Sequence, residues 1–144
     1  MSIGIQRALI VEDNDCFRDL VKIVLNSLGV TDIVEAKDGR EAIEALTTVD
    51  ADLVIMDWTM AGMDGIECTE RIRSGVFGSN PAIPIVMVSG NGDDNSIQHA
   101  YAAGVDVFLV KPISLKSLFA GIMKAANGPR NLLISDGAVA SCCA

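Results

Sequence analysis

Five times along the chain a short apolar run is followed by a segment with helical periodicity, and this alternation constrains the fold more than any other feature. The runs are Ala8-Leu9-Ile10-Val11, Ile33-Val34, Leu53-Val54-Ile55-Met56, Ile85-Val86-Met87-Val88 and Val107-Phe108-Leu109-Val110. Apolar blocks rich in branched residues and bounded by polar ones suit central parallel strands buried on both faces. Between them, Phe17, Leu20, Val21, Val24, Leu25 and Leu28 form one helical stripe, and Gly29 supplies a stop. Leu115, Leu118, Phe119, Ile122, Met123 and Ala126 repeat that spacing behind Ser114, a good N-cap. Asp38 with Glu41, and Asp64 with Glu67, have capping-box spacing with Asp in place of Ser or Thr. A further helix is predicted from near Asn95 to Ala103, ending at Gly104.

A repeated βα alternation with short loops means a parallel sheet covered by helices on both sides. In such sheets ligands sit beyond the carboxyl ends of the strands, where strand order reverses. The residues delivered there are Glu12-Asp13 after the first run, Asp57 after the third, Ser89 after the fourth and Lys111-Pro112 after the fifth. Two like charges about 4 Å apart repel by roughly 4 kcal/mol at an effective dielectric near 20. Three carboxylates in one cleft therefore need cations. Lys111 supplies one positive charge, and a hard divalent ion supplies two more. Mg²⁺ suits the set, because it takes oxygen ligands, keeps waters and commonly binds one or two carboxylates plus a phosphate oxygen. The plain alternative is that Asp13 or Asp15 merely caps the first helix. That reading leaves Ser89 and Lys111 at matching strand ends unexplained.

The balance of 11 Lys+Arg against 19 Asp+Glu gives a net charge of −8, and no basic stripe offsets it, which disfavours nucleic acid as a partner. The N-terminal residues lack the order of a signal peptide, and no apolar run approaches the roughly 20 residues that span a bilayer. The expectation is a soluble, cytoplasmic protein. Cys16, Cys68, Cys142 and Cys143 lack metal-ligand spacing, and Cys16 and Cys68 read as reduced thiols. The Gly62–Gly65 and Gly75–Gly78 regions read as turns, since neither fits a phosphate-binding glycine motif. His99 reads as a surface residue, and Trp58 as packed at the rim of the cleft. After Pro129 the pattern stops. Residues 128–144, with Arg130 against Asp136 and one apolar patch at Leu132-Leu133-Ile134, read as a flexible tail beyond a domain spanning 1–127.

Val11-Glu12-Asp13-Asn14, Asp57-Trp58-Thr59-Met60-Ala61-Gly62-Met63-Asp64-Gly65, Ser89, and the stretch from Ala100 to Lys111-Pro112 resemble the receiver domains of two-component response regulators. The resemblance covers about residues 6–127 with every motif in order. It implies a flavodoxin-like α/β fold, a five-stranded parallel sheet in the order 2-1-3-4-5. It implies that Asp57 is the nucleophile forming an acyl phosphate, and that Glu12 and Asp13 hold Mg²⁺ with Asp57 and the Thr59 carbonyl. Ser89 would bond one phosphoryl oxygen and Lys111 another. Phe108 would occupy the aromatic switch position, and Lys111-Pro112 would be a cis peptide. Thr59 and Asn91 would flank the path of hydrolytic water. Ala61 stands where the family usually has proline, and Gly90 where it often has alanine; both read as changes in loop stiffness.

The implied function is a phosphoacceptor switch, not an enzyme beyond its own phosphorylation and slow autodephosphorylation. Its partners would be a histidine kinase or phosphotransfer protein and a downstream protein target. The chain would be a monomer at rest, with the face of the fourth helix, fifth strand and fifth helix also open to dimerisation. Phe at the switch gains from burial in either state, which predicts an inward Phe108 even without phosphate. Three rivals stand beside this reading. A flavin electron carrier would need a phosphate cradle after the first strand, where Glu12-Asp13-Asn14-Asp15 repels phosphate. An aspartyl phosphatase usually has a carboxylate where Thr59 stands. A phosphorylation-independent interaction module would share the fold and differ only in whether Asp57 is modified.

Overall fold

The computed structural model describes residues 4–75 and 80–127, and by their backbone alone the strands 132–135 and 138–141; Gly78, Cys142 and Cys143 lie outside the described residues. The first ten elements alternate: β1 (Arg7–Val11), α1 (Asp15–Ser27), β2 (Asp32–Ala36), α2 (Gly39–Thr48), β3 (Leu53–Asp57), α3 (Gly65–Ser74), β4 (Ile85–Ser89), α4 (Asp94–Ala103), β5 (Val107–Val110) and α5 (Leu115–Asn127). The strands pair in parallel in the order β2-β1-β3-β4-β5, as expected.

Period-two alternation divides the apolar runs between two cores. Ala8, Ile10, Leu53, Ile55, Val86, Val88, Val107 and Leu109 pack with Val21 and Leu25 of α1 and Leu118 and Ile122 of α5. Leu9, Val11, Val54, Met56, Ile85, Met87 and Phe108 pack on the other side with Leu46, Ile66, Ile72, Ile97 and Ala100 from α2, α3 and α4. Every residue of β3 and β4 is buried, which is why those runs carry no polar alternation.

The helix starts follow the sequence with differences in detail. Asp38 and Asp64 accept from the Glu41 and Glu67 amides, both at 2.9 Å, but neither glutamate closes a reciprocal box. Glu41 bonds the Lys37 amide, and Glu67 turns to Arg71. The cap of α1 is Asn14, whose Oδ1 accepts from Phe17 N–H at 2.9 Å; neither Asp13 nor Asp15 serves. An amide caps as well as a carboxylate, so Asp13 is left for the cleft. α4 ends at Gly104, in the left-handed region at φ 114°.

The sheet does not stop at β5. Two further strands follow, β6 (Leu132–Ser135), parallel to β5, and β7 (Ala138–Ser141), antiparallel to β6, giving seven strands in the order β2-β1-β3-β4-β5-β6-β7. The apolar pattern of the sequence predicts no strand after residue 127.

At the amino ends of the strands, charged groups tie elements together. Asp106 accepts from the Ile85 amide at 2.8 Å and from Arg73 Nη2 at 2.9 Å. Arg73 also donates to the carbonyls of Gly104, Pro81 and Ile83. Asp52 accepts the Gln6 and Arg7 amides.

Candidate functional site

Strand register brings the site together at the carboxyl edge. Val11 pairs with Met56, so Glu12 and Asp57 emerge side by side from β1 and β3. Ser89 pairs with Val110, and Lys111 N–H donates to Ser89 O at 2.7 Å, which sets the lysine beside the end of β4. The Lys111–Pro112 bond is cis. Each neighbouring strand adds one side chain about 4.8 Å from the last, so a cluster is unavoidable once the sheet forms.

Carboxylate oxygens of Glu12, Asp13 and Asp57 lie within 4.8 Å of one another. Glu12 and Asp57 are buried, at 2% and 8% exposure, whereas Asp13 is exposed. Lys111 Nζ is 3.6 Å from Asp57 Oδ1 and 3.7 Å from Glu12 Oε1, within ion-pair reach but too long for hydrogen bonds. The ammonium also lies 5.2 Å from the centroid of the Phe17 ring. Glu12 Oε2 accepts from the Asn14 amide at 3.2 Å, while buried Glu12 Oε1 has no hydrogen-bond partner. Such an atom costs about 1–3 kcal/mol or more when charged, unless something else binds it. Burial, then the neighbouring Asp57 charge, push the Glu12 carboxyl up from 4.5 to about 7. Burial likewise raises Asp57, against the pull of Lys111 and a hydrogen bond from the Thr59 amide. Buried carboxylate oxygens, one of them without a hydrogen-bond partner, and negative charge that Lys111 offsets only in part fit a small divalent cation with open coordination positions.

Ser89 is buried at 4% exposure and bonded locally, its Oγ accepting from the Asn91 amide at 3.0 Å. Asn91 Oδ1 accepts from the Asp93 amide, and Asp93 Oδ1 from the Ser96 amide, so hydrogen bonds run from the strand-end hydroxyl to the first turn of α4. A polar recess of about 200 Å³ opens between Trp58, Thr59, Ser89, Asn91 and Ser96. Phe108 is fully buried, its ring edge-on to Trp58 at 6.2 Å, and Trp58 is edge-on to exposed His99 at 5.9 Å.

Two positioning features carried no sequence assignment. Arg18 donates to the Glu12 carbonyl at 2.8 Å and pairs with Glu35 at 2.8 Å and with Asp15, fixing the backbone beside the acidic pair. Only the local Asp15–Arg18 spacing hints at this; the Glu35 contact crosses from α1 to β2. Gly65 opens α3 against β3: a Cβ there would stand 2.7 Å from Asp57 O and 2.9 Å from Trp58 Cα. These are backbone atoms, so the loop after Asp57 closes only with glycine at this point. The signal was present in the Met-Asp-Gly turn.

Residues 8–123 match the family profile of the response regulator receiver domain. The chain belongs to that family. It is 33% identical over 125 residues to the chemotaxis protein CheY of Pseudomonas aeruginosa, covering 85% of this chain and 99% of that one. It is 32% identical over 122 residues to the response regulator protein VraR of Staphylococcus saprophyticus; the match takes in 84% of this chain and 56% of that longer protein. Among solved structures, the receiver domain of a sensor histidine kinase from Pseudomonas aeruginosa superposes with TM-score 0.73 at 25% identity, over 85% of this chain and 98% of that one; that structure has a magnesium ion coordinated in its active-site cleft. Receiver domains are signalling switches that interact with histidine kinases and downstream targets. No helix among the described residues is long and apolar enough to cross a membrane.

Proposed function

We propose that this chain is a Mg²⁺-dependent phosphoacceptor switch of two-component signalling, with Asp57 as the acceptor. The observation that carries the reading is buried Glu12 Oε1, without a hydrogen-bond partner beside Asp57, with Lys111 held 3.6 Å from the acceptor carboxylate. Glu12, Asp13, Asp57 and the Thr59 carbonyl would hold the ion, whose contribution when bound is to neutralise charge on the cleft and on the transferring group.

Phosphoryl transfer asks the protein chiefly for positioning and electrostatic stabilisation. A carboxylate oxygen of Asp57 attacks phosphorus in line, the bond to the donor nitrogen of a phosphohistidine breaks, and the product is an acyl phosphate. Lys111, not yet committed to a close hydrogen bond, moves onto a phosphoryl oxygen. The new group adds about 1.5 to 2 negative charges at neutral pH, by analogy with other phospho-residues. Ser89 gives up its donation to the Asn91 carbonyl, now 3.3 Å away, and donates to the phosphoryl group instead. Because Asn91 and Asp93 link that hydroxyl to the first turn of α4, its movement pulls on α4 and alters the α4–β5–α5 face that a target would bind. Phe108, already inward, holds the space beneath. Water in the recess beside Thr59 and Asn91 hydrolyses the acyl phosphate slowly; no other substrate is turned over.

The donor would be a histidine kinase or phosphotransfer protein, and a groove of about 590 Å³ lined by Phe17, Leu20, Lys111, Pro112 and Ile113 offers a docking surface next to the cleft. The setting would be the cytoplasm. Trp58 is the reporter for the test. Mg²⁺ should quench its fluorescence, and acetyl phosphate should change it further in the chain but not in Asp57→Asn. Absence of a phosphoryl adduct by mass spectrometry under these conditions would favour the phosphorylation-independent module.

A further inference from the structure

In a sheet ending at β5, the outer edge of that strand would present open backbone groups between α4 and α5. Here the chain's own C-terminal segment fills it. β6 pairs in parallel with β5, placing Leu132, Leu133 and Ile134 at the positions opposite Val107, Phe108 and Leu109. β7 then pairs antiparallel with β6, from Ser135 opposite Ala138 to Leu132 opposite Ser141. The sequence supports the hairpin on its own terms. The two residues between the strands are Asp136-Gly137, a pair strongly preferred in two-residue hairpin connections, and only Gly128-Pro129-Arg130-Asn131 separates α5 from β6.

The pattern of peptide groups follows from register. Lys111 N–H faces β4, so by alternation Leu109 faces β4 as well, and the peptide groups of Phe108 and Val110 face β6. On the other strand, a two-residue connection bonds Ser135, and hence Leu133, to β7, which turns Leu132 and Ile134 toward β5. The two derivations agree: the amides of Phe108 and Val110 point at exactly the strand face that Leu132 and Ile134 offer.

We infer that residues 132–141 are an intramolecular cap on the β5 edge, a tethered strand occupying a surface built to accept an extended peptide. A short tether holds such a segment at an effective concentration on the order of millimolar, so a partner that adds a strand at β5 must first displace it. The cap sits at the strand that carries Phe108. The inference concerns the sheet edge alone and stands whether or not Asp57 is phosphorylated.

Amide hydrogen exchange on the full-length chain tests it. Ile134→Pro removes the N–H that faces β5. Exchange at Phe108 and Val110 should accelerate by at least about tenfold in this variant, while Leu109 and Lys111 hold their protection. A chain ending at Asn127, which retains every core residue among the described ones, should behave the same way. A synthetic peptide of residues 130–141 should restore protection to the shortened chain and fail to bind the full one. Equal exchange at Phe108 and Val110 in the parent chain and both variants would overturn the inference. So would protection that grows with protein concentration alongside a dimer mass, since the occupant would then be a second copy's tail.

Discussion

Asp57 and Asp106 stand at opposite ends of the same sheet, each 8% exposed, and the fold treats them in opposite ways. Asp106 receives a backbone amide at 2.8 Å and an arginine at 2.9 Å, so its charge is matched where it is buried. Asp57 faces a second buried carboxylate, Glu12, with a lysine no closer than 3.6 Å. Burying a carboxylate is costly in both places, but the Thr59 amide and a distant Lys111 offset it less at Asp57 than the Ile85 amide and Arg73 do at Asp106. The carboxyl end is left short of positive charge. What the pair teaches is that burial alone does not mark a functional acid; the shortage of partners does.

The comparison breaks most sharply by removing each acid in turn. Asp106→Ala should destabilise the chain by about 3 kcal/mol, because the Ile85 amide and the Arg73 guanidinium lose their shared acceptor in a buried setting. Asp57→Ala should leave stability unchanged or raise it by about 1 kcal/mol without Mg²⁺, because it removes a repulsive charge. Urea denaturation in EDTA compares the two. Equal losses would mean that Asp57 is as well satisfied as Asp106.

Protonation sharpens the same contrast. Burial and the Asp57 charge raise the Glu12 carboxyl from 4.5 to about 7, so between those values the folded chain binds more protons than the unfolded one. The stability this group contributes is complete below about 4.5 and is lost as pH rises through about 7. In EDTA, the melting temperature should fall by several degrees from pH 5 to pH 8, and Glu12→Gln should flatten that slope. Saturating Mg²⁺ should flatten it too, since a bound cation favours the carboxylate. Scanning calorimetry across pH decides; superimposable profiles for the parent and Glu12→Gln would show that Glu12 carries no excess proton.

The sequence made the five-fold alternation, and hence the place of Glu12, Asp13, Asp57, Ser89 and Lys111, legible because strand ends in a parallel sheet have only one edge to share. The N-cap of α1 reads from sequence as Asp13 or Asp15, whereas the extended backbone of Asn14 between them makes that residue the cap. Arg18 and Arg73 were invisible as positioning groups because their partners, Glu35 and Asp106, lie on other elements. The C-terminal strands escaped for a different reason. Four residues are too few for periodicity to declare itself, and the stronger cue, Asp136-Gly137 between two short β-compatible runs, belongs to turn chemistry rather than to hydrophobic pattern.

The smallest expected effect concerns a loop on the acceptor side. Gly90 stands where receiver domains often have alanine, directly after Ser89. A Cβ there meets nothing within 4 Å, and the residue is not among the glycines with positive φ. Gly90→Ala therefore adds no clash and no backbone strain, and it narrows the unfolded ensemble, so it should stabilise the chain by about 0.4–1 kcal/mol. The informative readout is the rate of the Trp58 response to acetyl phosphate alongside stability. In the proposed mechanism the Ser89 hydroxyl turns from the Asn91 carbonyl to a phosphoryl group, and Gly90 is the residue between them. A stiffer hinge should slow that exchange without touching the acceptor, giving a more stable protein whose Trp58 response to acetyl phosphate is slower. Unchanged response kinetics with raised stability would place the moving joint beyond Gly90, at Asn91 to Asp93.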